Sequence, residues 1–188
     1  VRSMIAILGW SSLIWKPQDL PYEGTWQQGG PVLPLEFTRV KTARPLTLVL
    51  DPVNGADCPT QFVWSSRTNL ADVIQDIQDR ENASPEETGY IDLQQNLSSI
   101  EDYPEQVNVD RIVRQWCHKQ QIPAAVWTAI PPNFTEELGV EFSVETAMQY
   151  LEQVPKSDQD SVVEYIQNTP REITTPFRQH VETVWGIR

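Results

Sequence analysis

The sequence predicts an α+β fold with a mostly antiparallel sheet. Three observations carry that expectation. Short runs rich in Val, Leu, Ile and Trp, bounded by Pro, Gly, Asn or Asp, crowd the first third of the chain. Beyond residue 65 the apolar residues recur at the i, i+3, i+4, i+7 spacing of amphipathic helices. A regular βαβ alternation, the pattern of a parallel sheet, is absent.

The strand candidates are residues 4–8, 35–40, 46–50, 61–64 and 124–130. Along 35–40 (Leu35-Glu36-Phe37-Thr38-Arg39-Val40) apolar and polar residues alternate, so one face is expected buried and the other polar. A turn at 41–44 should return the chain into the antiparallel partner 46–50. Residues 17–34 carry Gly24, Gly29, Gly30 and several prolines and read as a long ordered loop. Four helices are expected. Asn69 caps a stripe of Leu70, Val73, Ile74 and Ile77, and Asn108 one of Val109, Ile112, Val113 and Trp116. Ser143 caps Val144, Ala147, Met148 and Leu151. Thr175 caps the last, with Pro176 at its first position, Phe177, Val181, Val184 and Trp185 as its stripe, and Gly186 just past its end.

The chain has 188 residues, which fits a single domain over 1–188 and a core that needs no staples. A net charge of −12 argues against nucleic acid and anionic membrane surfaces as partners. No apolar run approaches the roughly 20 residues of a membrane span. The N-terminal residues run into Gly9 and read as a first strand rather than a signal peptide. Cys58 and Cys117 lack metal-ligand or redox spacing and are expected to be reduced thiols of a cytoplasmic protein. His118 and His180 lie far apart, no three-ligand metal site can be placed, and neither a Walker loop nor G-x-G-x-x-G occurs. No metal or cofactor is expected. Gly9-Trp10-Ser11-Ser12-Leu13 lacks the second glycine of a nucleophile elbow.

Two features carry chemistry. On the helix after Asn69, Asp72, Asp76 and Asp79 share the face opposite the apolar stripe and read as solvated charges. Glu81 differs. It lies four residues past Ile77 and seven past Ile74, within roughly 30° of the apolar face's centre at ~100° per residue. Arg80 falls at the edge of that face. A carboxylate turned inward at a helix end suits general acid/base work; the competing expectation is a helix already frayed at Glu81, with the carboxylate in solvent. The second feature is the turn after the first strand, where small Ser11 and Ser12 leave backbone N–H groups able to bind a carboxylate or a developing oxyanion. An ordinary strand-to-loop turn is the plainer reading.

The stretch Leu8-Gly9-Trp10-Ser11-Ser12-Leu13-Ile14-Trp15-Lys16-Pro17 resembles the F-G-Y-G-S-L-I-W-x-P opening of the gamma-glutamylcyclotransferase superfamily, particularly its ChaC-like branch. Arg80-Glu81 followed by Gly89-Tyr90 resembles that family's helix ending in R-E and later G-Y, and residues 124–129 look like its later barrel strand. The resemblance implies a mixed, mainly antiparallel sheet curled into a partial barrel with helices around it. It also implies a gamma-glutamyl substrate held by Trp10, Ser11, Ser12, Leu13 and Tyr90, with Glu81 as catalytic residue. The product would be 5-oxoproline. Trp10 stands where the family has Tyr. Ser11 stands where it has Gly, adding a Cβ near the ligand's expected path. A non-catalytic ligand-binding or protein-interaction role on the same fold is the alternative.

Overall fold

The computed structural model describes residues 4–42 and 44–188. In chain order its elements are β1 (Ile5–Gly9), α1 (Ser12–Trp15), β2 (Tyr22–Gln27), β3 (Val32–Lys41), β4 (Arg44–Leu50), β5 (Ala56–Pro59), β6 (Gln61–Ser65), α2 (Leu70–Glu81), β7 (Thr88–Asp92), β8 (Leu97–Ser98), α3 (Val107–Gln120), β9 (Ala124–Thr128), α4 (Phe134–Leu138), α5 (Val144–Gln153), α6 (Lys156–Asn168) and α7 (Pro176–Trp185). The fold is α+β, and its sheets do not close into a barrel. No helix among the described residues is long and apolar enough to cross a membrane. The chain forms two compact units. One comprises the residues up to Leu33 with Pro59–Ile130, the other Pro34–Cys58 with Pro131–Arg188.

The first unit is built on six strands in the order β2-β6-β1-β9-β7-β8. β1 and β9 are parallel, and the other neighbouring pairs are antiparallel. The register sets Ile5 against Ala124, and Ile7 against both Val126 and Val63. Period-2 alternation therefore gathers these side chains on one face. Val73 and Ile77 of α2 bury against them, joined by Leu13 and Leu20, with Leu70, Ile74, Trp26 and Tyr90 partly buried at the margin. Asn69 caps α2 as expected, its side chain accepting from the Ala71 N–H at 2.9 Å. The helix stops at Asn82, which takes the left-handed conformation at φ 51°.

Several elements differ from expectation. Residues 17–34 hold a strand, β2, at the sheet edge and the start of β3, not one long loop. β7 is a five-residue strand whose sequence, Thr88-Gly89-Tyr90-Ile91-Asp92, shows no strand alternation. Gly89 is required there, because a Cβ on it would sit 2.1–2.5 Å from the indole of fully buried Trp127. α3 begins at Val107 with Gln106 as cap, since a 3-10 turn at Pro104–Gln106 leads into it. The strand expected over 124–130 ends at Thr128. The expected turn at 41–44 includes Ala43, which lies outside the described residues, as do Val1–Ser3.

In the second unit the sheet order is β4-β3-β5. Here the alternation of β3 misleads: Glu36 and Thr38, expected on a polar face, are both buried. Phe37 packs against Tyr165 of α6 and Phe177 of α7, and Glu36 accepts from the Phe177 N–H. Helices therefore cover residues of both parities along this strand. α5 carries the expected Ser143 cap, in a reciprocal box with Thr146. α7 starts at Thr175 and Pro176 as expected, but its buried residues are Phe177, Arg178 and Val181, while Val184 is 56% exposed.

Candidate functional site

The site expected from the sequence lies wholly in the first unit. β1 ends at Gly9, and the chain turns through Trp10 and Ser11 into α1. Gly9 is glycine for a packing reason: a Cβ there would meet ring atoms of Trp26 at 2.6–2.8 Å. Trp10 is only 5% exposed. Leu13 is in the core. Ser11 and Ser12 are half-buried. Ser11 has φ −141°, a value any residue can adopt, so serine in place of glycine imposes no left-handed backbone. Its carbonyl accepts from the Ile14 N–H at 2.8 Å, and that of Ser12 accepts from the Lys16 N–H at 2.7 Å. The N–H groups of Ser12 and Leu13 open the first turn of α1, where a helix offers no internal acceptor.

Glu81 is the last residue of α2. The helix is not frayed there, because the Asn82 and Ala83 N–H groups both close onto the Gln78 carbonyl. Helical phase therefore turns Glu81 inward, and its side chain is 15% exposed. Of its three acidic neighbours, Asp72 and Asp79 are exposed as expected. Asp76 is not a simply solvated charge: its carboxylate takes two hydrogen bonds from Arg67, at 3.0 and 3.1 Å. A carboxylate in the last turn meets the negative end of the helix dipole. The Arg80 guanidinium, with Nη1 3.9 Å from Glu81 Oε1, offsets that.

The same guanidinium reaches the turn after β1. Arg80 donates through Nη2 to the Lys16 carbonyl at 2.6 Å and to the Ser12 carbonyl at 3.5 Å, and through Nε to Lys16 at 3.2 Å. The fold thus brings the end of α2 against the Ser11–Lys16 turn, joining two segments 64 residues apart in the chain.

Tyr90 is placed elsewhere along α2. It lines a cavity of about 470 Å³ together with Leu70, Ala71 and Ile74 from the first turns of the helix, Asp92 and Gln95. Ile74 and Glu81 are seven residues apart, ~10 Å of helix rise. Burial pushes the Tyr90 phenol above its usual pKa, and the nearby carboxylates of Asp102 and Glu101 add to this. The structure therefore brings Arg80, the neighbour of Glu81, onto the turn and sets Tyr90 in a cavity farther along α2. Trp26 is the residue that sequence reasoning missed. Its ring lies on Gly9, and its buried indole N–H is without a hydrogen-bond partner. Edge strand β2, mostly exposed, gave no alternation by which to find it.

Compared with known proteins, the chain matches no family model, no curated protein and no solved structure.

Proposed function

We propose that this chain is a gamma-glutamylcyclotransferase-like enzyme that converts a gamma-glutamyl amine or peptide to 5-oxoproline with release of the amine. The observation that supports the reading is the pairing of a half-buried carboxylate, Glu81, with the turn that follows β1, through the hydrogen bonds of the adjacent Arg80. In this reaction the substrate's α-amine attacks its own γ-carbonyl carbon. A C–N bond forms, closing a five-membered ring, and the bond to the leaving nitrogen breaks. Glu81 takes the proton from the attacking amine and returns it to the leaving nitrogen. The N–H groups of Ser12 and Leu13 bind the substrate and meet charge developing on the carbonyl oxygen. Holding amine and carbonyl together supplies the proximity term. Ser11 and Trp10 shape the turn, and Tyr90 extends the binding surface toward its cavity.

The test is 5-oxoproline formation from a panel of gamma-glutamyl amines and peptides. At least one should be turned over, and Glu81→Gln should lower the rate by ~10²–10⁴-fold, the usual worth of acid/base help, with the protein still folded. Activity that survives Glu81→Gln removes Glu81 from this role. No 5-oxoproline from any panel member rejects the enzymatic reading in favour of a ligand-binding protein.

A further inference from the structure

Arg80 lines a cleft with the acidic residues Asp19, Asp76 and Asp79 and adjoins Glu81, yet its short hydrogen bonds go to neutral carbonyls. Asp76 is occupied by Arg67, and Asp79 accepts from Gln75 at 2.8 Å. Glu81 is the nearest carboxylate, at 3.9 Å, beyond hydrogen-bond range. The Lys16 carbonyl takes both Nε and Nη2 of the guanidinium, and Nη2 also reaches the Ser12 carbonyl. The side chain is 11% exposed. A half-buried guanidinium held by its planar fork fixes both distance and orientation. α1 is four residues long, too short to hold its own geometry, and Lys16 ends it with carbonyls that need donors.

We infer that Arg80 is the positioning residue of the site, fixing the Ser11–Lys16 turn against the end of α2, the helix that carries Glu81. The inference rests on the proposed function for its catalytic consequence, but the tie itself is a structural property that can be read without turnover. One guanidinium links the two parts by a path of few bonds. Replacing it with an apolar chain of similar length leaves Glu81 in place on α2 and frees the turn.

The experiment compares the full chain with Arg80→Met and Arg80→Lys, using amide hydrogen exchange, thermal unfolding, and kcat and KM for the best gamma-glutamyl substrate. In Arg80→Met the Ile14 and Lys16 amides should exchange at least about tenfold faster, while amides in the middle of α2 and β1 keep their protection. KM should rise and kcat/KM fall by about 10²-fold, the cost of a misplacement near 1 Å. Arg80→Lys should recover part of both effects, since an ammonium can still donate to the Lys16 carbonyl. The inference is overturned if Ile14 and Lys16 exchange is unchanged. It is equally overturned if exchange rises uniformly across the unit, or if kcat falls at unchanged KM, as loss of folded protein alone would give. A wild-type chain that forms no 5-oxoproline rejects the proposed reaction, and the exchange arm still decides whether Arg80 holds the turn.

Discussion

Arg178 is a cation held at 2% exposure, and its surroundings explain why it is tolerated there. Nη1 donates to the carbonyls of Pro170 and Ile173 at 2.6 and 2.9 Å, and Nη2 to those of Ile166 and Thr169 at 3.1 and 3.0 Å. Those acceptors lie at the end of α6 and in the segment leading to α7, where carbonyls lack helical partners. Desolvation lowers the guanidinium's pKa, opposed by Glu182 with a carboxylate oxygen 3.6 Å from Nε. Arg178→Met would leave four buried or half-buried acceptors without their donor. A loss on the order of 3–5 kcal/mol is expected, as for other buried partners removed singly. Arg178→Lys should recover less than half, because an ammonium cannot span four carbonyls. Urea unfolding measures both; a loss below about 1 kcal/mol for Arg178→Met contradicts the fastening role. Nothing in the pattern around Arg178 announced this, since an arginine beside an apolar stripe reads as a solvated edge residue. Helical phase separated Glu81 from exposed Asp72 and Asp79 but not from Asp76, whose side chain is 10% exposed against 15% for Glu81.

At the level of elements, α2 could be read because cap and stripe agree, and α5 for the same reason. β2 and β7 could not. β2 is an exposed edge, so no buried face imposes alternation, and β7 needs a glycine mid-strand to admit the Trp127 ring. α6 has a stripe of Val162, Tyr165 and Ile166 but opens on Pro155 without a side-chain cap. The polar face expected along β3 was misread at Glu36, which is 1% exposed. Its carboxylate accepts from the N–H groups of Phe37 at 2.9 Å and Phe177 at 3.4 Å, the latter at the start of α7. Desolvation nonetheless dominates and raises its pKa, with Asp51 adding to the rise and the hydrogen bonds from Phe37, Thr175 and Phe177 opposing it. The sign follows from linkage. A carboxyl whose folded pKa is raised binds its proton more tightly in the folded state. Its contribution is therefore full below the unfolded-state value, ~4.3, and is lost as pH rises through the folded one. The stability of the wild type relative to Glu36→Gln should decline as pH rises through that window and level off above it. Urea unfolding of both proteins at a series of pH values gives the difference directly. A difference that grows with rising pH would reverse the assignment.

For the whole molecule, the fold class was legible because strand-like runs gather in the first third and helical stripes beyond residue 65, with β7, β8 and β9 as the exceptions. The partition into two units was not. Its boundaries at Leu33–Pro34 and Cys58–Pro59 fall inside β3 and β5, so no Gly- or Ser-rich linker marks them. Each unit buries one free cysteine, Cys117 in the first and Cys58 in the second. Burial pushes the Cys117 thiol up to about 12 and raises that of Cys58 as well, where Glu36 and Asp57 oppose the thiolate further. At pH 7 a thiol with a pKa near 12 is thiolate in about one molecule in 10⁵, and only the thiolate attacks a thiol reagent. Both cysteines should therefore resist alkylation in native buffer and react only when their own unit opens. Peptide-resolved labelling across a urea gradient then reports the two openings separately. Each site should be modified only at urea concentrations that expose its own unit. Rapid modification of Cys117 at pH 7 without denaturant would contradict its burial in α3.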